Sequence, residues 1–159
     1  MRLPERREDL GPPALELAGL ELWVHGRQFP DAAEVWDADW LQVTAYCAAP
    51  GARVWVSGPI LGSTGLARWM AECEALLAEL TNRAELHSYE PDLRVCIDAT
   101  DQSGHLILAV FITPDHPSQE HRFEFAIDQS YLPPLVADLR AILATYPVPE
   151  GLLPDGRNF

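Results

Sequence analysis

Five histidines, His25, His87, His105, His116 and His121, are the residues best suited to hold a metal or move a proton. His116 and His121 flank an acidic loop, with Asp115 and Glu120 beside them. Their spacing falls on no helix, and no cysteine or second cluster accompanies them, so a solvated loop explains them better than a metal site. His25 and His87 read as side chains on strands. Ser57-Gly58 and Ser103-Gly104 lack the flanking pattern of a nucleophile elbow and read as turns. Gly58, Gly62 and Gly65 have no closing Lys-Ser/Thr and make no phosphate loop. The closest carboxylate pairs for acid–base work are Asp98 with Asp101 and Asp37 with Asp39. Both pairs lie at loops or hairpin ends, where solvated turn acids are the commoner arrangement. No residue is assigned a catalytic or metal-binding role, and no cofactor is expected.

The most distinctive segment is Trp36-Asp37-Ala38-Asp39-Trp40-Leu41, two tryptophans straddling two acids just before a strand. One reading is architectural: Trp40 caps the core while Asp37 or Asp39 bonds loop amides. The other is an aromatic and acidic contact surface, since tryptophan is enriched among interface hot spots. The pattern alone favours the first.

The elements that must position these residues belong to one acidic chain. It has 159 residues, 48% hydrophobic and 22% charged, which suits one globular domain with a sizeable core. Lys plus Arg number 11 against 24 Asp plus Glu, a formal net charge of -13. Such a chain repels phosphate backbones, which argues against a nucleic-acid partner, and its field steers cationic proteins toward it. Solubility alone is the plainer account of the same charge. Cys47, Cys73 and Cys96 are odd in number and form no CxxC pair, as expected in a reducing compartment. The charged N-terminal segment has no signal-peptide core, and no apolar run approaches the roughly 20 residues needed to span a bilayer. A cytoplasmic protein with no membrane partner is expected.

Along the chain, residues 1–13 read as a flexible N-terminal arm, 14–148 as a single α+β domain and 149–159 as a Pro-rich C-terminal tail. Residues 15–29 read as extended, with a hairpin or bulge at Ala18-Gly19. Residues 30–39 read as loop, and 40–47 and 52–57 as paired strands around Pro50-Gly51. Gly62-Ser63-Thr64 marks a helix start that either hydroxyl could cap. Leu66, Trp69, Met70, Cys73, Leu76, Leu77 and Leu80 then form one helical stripe, with Glu79 and Arg83 paired on its outer face. Strands follow at 85–89, 93–99, 106–112 and 123–127, and Ser130 can cap a second helix whose first turn holds Pro133 and Pro134. This order predicts an α+β fold: a curved, mainly antiparallel β-sheet with two amphipathic helices packed on one face.

Five pieces in this order carry a family likeness: the Trp-Asp-Ala-Asp-Trp-Leu strand start, the helix with Trp69 and Leu76-Leu77, Tyr89-Glu90-Pro91-Asp92-Leu93, the Gly104-His105 hairpin, and Phe123 to Pro133. Over residues 35–146 the chain resembles the WapI-type family of bacterial immunity proteins and its uncharacterised relatives. The resemblance implies a non-enzymatic binding protein. Members encoded beside a secreted toxin bind the toxin's C-terminal domain and protect the producing cell, and many such toxins are nucleases. The matched motifs look architectural and carry over no contact residues. The candidate partner-binding residues are therefore chosen as acids and aromatics expected at the surface: Trp36, Asp37, Asp39, Glu90 and Asp92. A basic toxin domain is the partner this implies. The rival readings are a small-molecule-binding domain or small enzyme, with a cleft lined by Trp23, Trp55 and His105, and a structural or assembly subunit.

Overall fold

Period-two alternation of apolar and polar residues builds most of the molecule. The computed structural model describes residues 7–80 and 82–152. In it, β1 (Leu15–Leu17), β2 (Leu20–Arg27), β3 (Trp40–Ala49) and β4 (Ala52–Gly62) form one antiparallel meander, here sheet A. Sheet B repeats the arrangement with β5 (Arg83–His87), β6 (Leu93–Ala99), β7 (His105–Ile112) and β8 (Arg122–Asp128). A short helix α1 (Val35–Asp39) precedes β3, α2 (Ser63–Ala78) carries the chain between the sheets, and α3 (Leu132–Thr145) follows β8.

The α+β class and antiparallel pairing are as expected, but the single curved sheet with two helices becomes two four-stranded sheets and three helices. The reason is physical. Alternation records which face of a strand is buried, and a strand carries the same pattern whichever sheet it joins. Between β4 and the β5 end, one backbone bond is seen, from the Tyr89 amide to the Ile60 carbonyl at 2.9 Å.

The inner faces of both sheets share one core with the buried stripes of α2 and α3. Sheet A contributes Leu22, Leu41, Val43 and Val56, and sheet B contributes Val95, Ile97, Leu108 and Val110. From the helices come Leu66, Trp69 and Leu76, and Leu135, Leu139 and Ile142. Helix α2 packs on α3 and β5, α3 also meets β1, and β3 meets β7 and β8. Each large side chain fully buried this way stabilises the fold by about 1.5–3 kcal/mol. Leu77 departs from the expected stripe and is 39% exposed. Cys47, Cys73 and Cys96 are free and buried. Burial pushes the Cys47 and Cys73 thiols up to about 12, so neither is a reactive thiolate at neutral pH.

Other local expectations are corrected. The segment read as loop holds α1, and Ser57 lies within β4 rather than in a turn. Helix α2 ends at Ala78, so Arg83 begins β5 and bonds Asp98 at 2.7 Å instead of pairing with Glu79. Residues 7–13 of the arm lie along sheet A: Arg7 bonds Glu21, and Trp23 Nε1 donates to the Gly11 carbonyl at 3.0 Å. At the tail, Leu152 is buried. Residues 1–6 of the arm and 153–159 of the tail lie outside the described residues. Among those described, no helix is long and apolar enough to cross a membrane.

Candidate binding site

Helix α2 begins at a glycine. Its N-cap, Gly62, has no side chain to accept from the first free amides, and neither Ser63 nor Thr64 fills the role expected of it. The acceptor is Asp39, the last residue of α1, which is fully buried. Its Oδ1 accepts from the Thr64 amide and the Thr64 hydroxyl, both at 3.0 Å, and its Oδ2 accepts from the Tyr89 hydroxyl. A carboxylate facing the positive end of a helix is electrostatically favoured, and the two bonds from Thr64 satisfy buried donors. Burial, reinforced by the bond to Asp39, pushes the Tyr89 hydroxyl up and keeps it a donor. The Trp40 ring packs against Tyr89 at a tilt of 45°, with centroids 4.5 Å apart. Arg27 braces the same region, donating to the Ala38 carbonyl at 3.0 Å and to Ser63 Oγ at 2.8 Å. Space explains Gly62: a Cβ there would come within 2.6 Å of the Tyr89 ring and closer still to Asp39.

The tryptophan-acid segment and the Tyr89-Glu90-Pro91-Asp92 bend, 50 residues apart at Asp39 and Tyr89, therefore meet in one junction. Of the five residues expected at the surface, Asp39 is the exception. It is structural, because its two oxygens are spent on α2 and Tyr89. Trp36 is 47% exposed, Asp37 and Glu90 are exposed, and Asp92 is partly buried. Burial pushes the Asp92 carboxyl up, Glu90 adds to the shift and His116 opposes it. The bend is held by Ser88, which donates to the carbonyls of Glu90 and Leu93, and by the Thr113 amide bonded to the Asp92 carbonyl at 2.9 Å. A groove of about 460 Å³ opens beside Tyr89 and Glu90. From sequence, Arg27 has no assigned role, Thr64 is offered only as a capping hydroxyl and Tyr89 is marked only as part of the bend motif. The one local signal was a helix start whose cap position is glycine.

The other constellations hold structure together. Asp101, Ser103 and His105 are mutually bonded, but Asp101 Oδ2 and Ser103 Oγ both contact His105 Nδ1, each at 3.0 Å. A nucleophile relay needs acid and hydroxyl on opposite ring nitrogens, so this is a turn lock. Bonds from Ser103 and His105 hold Asp101 well below the usual carboxylate range. On sheet A, His25 Nε2 contacts Thr44 Oγ1 at 2.8 Å, and Thr44 contacts Ser57 Oγ at 2.8 Å. Burial lowers the His25 pKa, and among the described residues no carboxylate orients its ring. Asp98 is engaged by Arg83 and Asp101 by its own turn, so they do not act as a pair. His121 contacts Gln119, and no group of three or more potential ligands able to hold a metal occurs among the described residues. Trp23 and Trp55 lie on β2 and β4 of sheet A, whereas the exposed His105 lies on β7 of sheet B.

The described residues thus define an α+β domain of two antiparallel meanders, with a buried structural carboxylate beneath exposed aromatic and acidic side chains. The sequence model of the immunity protein WapI-like family matches residues 14–147, and the chain belongs to that family. No curated protein and no solved structure matches it.

Proposed function

We propose that the chain is a non-enzymatic, cytoplasmic immunity protein that neutralises a cognate toxin by direct binding. In this reading Trp36, Asp37, Glu90 and Asp92 form the contact surface. The observation that carries it, beside the family, is the junction itself: Asp39 ties together the two segments that bear these side chains. Asp39 serves from beneath, holding the surface in shape. The net charge of -13 favours a basic toxin domain, and a nuclease fits, because its polyanion-binding surface would meet a polyanionic inhibitor.

The test is co-expression with the C-terminal domain of any secreted toxin encoded beside this gene. Cells carrying both should grow, and the two chains should co-elute. Trp36→Ala combined with Glu90→Lys should weaken the complex by about 100-fold, the scale of hot-spot truncation. Affinity should also fall as salt rises. Continued killing with no complex on a sizing column would overturn the reading.

A further inference from the structure

The groove beside Tyr89 continues onto sheet B, where four residues form one cross-strand row. His87 pairs with Arg94, Arg94 with Phe111, and Phe111 with Arg122. The Arg94 guanidinium lies 4.2 Å from the centroid of the Phe111 ring, and that of Arg122 lies 5.6 Å from it. Stacking on a ring fixes a guanidinium while leaving its N–H edge available to an anion. In a chain of net charge -13, whose 11 Lys-plus-Arg residues are all arginine, this row runs against the surrounding field.

The carboxylates facing the row leave donors to spare. Glu85 is shared among Arg94 at 3.4 Å, His87 at 3.5 Å and Arg83 at 3.6 Å. Glu124 takes Arg122 at 2.7 Å, and Glu90 lines the groove. An arginine has about five N–H donors. Among the described residues Arg94 makes one hydrogen bond, at the long end of the range. Tyr89, Pro91, Leu93 and Phe111 supply the groove's apolar wall.

We propose that this groove seats a carboxylate side chain of a protein partner, carried next to an apolar residue. The carboxylate takes the unpaired N–H edge of Arg94, and the apolar body lies against Tyr89, Pro91 and Phe111. Charge complementarity selects the occupant. A free anion would approach against the field of the whole chain, whereas a partner that is basic overall is steered in and delivers its carboxylate at short range. This deepens the proposed function and rests on it: the interface contains an inverted charge contact as well as acid-to-base attraction.

The two ideas separate in one experiment on the complex with the toxin domain. Arg94→Glu makes the chain more acidic, so general attraction to a basic toxin would be kept or strengthened. The proposal instead expects Arg94→Glu to weaken the complex by about tenfold or more, while Arg53→Glu, the same charge change on sheet A, does not. Unchanged or tighter binding by Arg94→Glu would overturn the groove assignment and leave the toxin-binding reading standing. If the unaltered chain binds no toxin, that reading falls, and amide chemical shifts decide the groove. The cationic peptide N-acetyl-Lys-Asp-Phe-Lys-amide, basic overall like the partner, should move the signals of residues 87–94 and 111, and N-acetyl-Lys-Asn-Phe-Lys-amide should not. Equal responses to both, or none, would overturn it.

Discussion

Asp39→Ala should lower the melting temperature by about 10 °C. The carboxylate is fully buried, and its loss strands the Thr64 amide, the Thr64 hydroxyl and the Tyr89 hydroxyl. Each buried donor left unpaired costs about 1–3 kcal/mol. Movement of the Tyr89 loop toward water would relieve part of this, leaving a net loss of about 3–4 kcal/mol. For a chain of this size about 1 kcal/mol corresponds to roughly 2–4 °C. Tyr89→Phe removes one donor and leaves the α2 cap intact, so it should cost about 1–1.5 kcal/mol. In a double-mutant cycle the two changes should be coupled by more than about 0.5 kcal/mol, because they share one bond. Thermal unfolding by circular dichroism measures all three variants. A shift under about 2 °C for Asp39→Ala would mean that the junction is not held as described.

Gly19→Ala should destabilise by a similar amount, about 3 kcal/mol or more, for a different reason. Gly19 sits in the β1–β2 turn, where its carbonyl accepts from the Ala48 amide at 3.1 Å. A Cβ there would lie 2.6 Å from the Phe125 ring of sheet B and closer still to the Ala48 carbonyl oxygen. A ring can swing aside, but a strand carbonyl moves only with its ladder, so the added methyl must part the seam between the sheets. Gly26→Ala is the control. Its φ of 151° is unfavourable to a side chain, yet no atom lies within 4 Å of its Cβ, so it should cost about 1 kcal/mol of backbone strain alone. Equal losses for the two variants in urea unfolding would show that the seam is not close-packed at this turn.

Most strands were legible because each buries one face. Leu41, Val43, Ala45 and Cys47 are all fully buried, as their alternation implies, and Leu135, Leu139 and Ile142 line α3 at helical spacing. Helix α1, the division into two sheets and the burial of Asp39 were not legible, the last two because their causes are remote in sequence. Helix α1 has five residues, too few to show a period. The division into two sheets depends on which strand edges pair, and period-two patterning is silent about that. The burial of Asp39 depends on Thr64 and Tyr89, which lie 25 and 50 residues away. The pattern around the two tryptophans favours an acid that bonds amides, but it does not tell Asp39, which is buried, from Asp37, which is exposed. The groove was invisible for the same reason: Arg94 and Phe111 are neighbours only through the β6–β7 register.

The central claim is that two distant segments, tied by Asp39, form one partner-binding surface. Hydrogen–deuterium exchange on the chain with and without its toxin domain tests this most directly. Protection on binding should appear together in peptides covering residues 35–40 and 87–94, at matching toxin concentrations. Protection confined to another face, such as the exposed side of α3, or to one of the two segments alone, would contradict it.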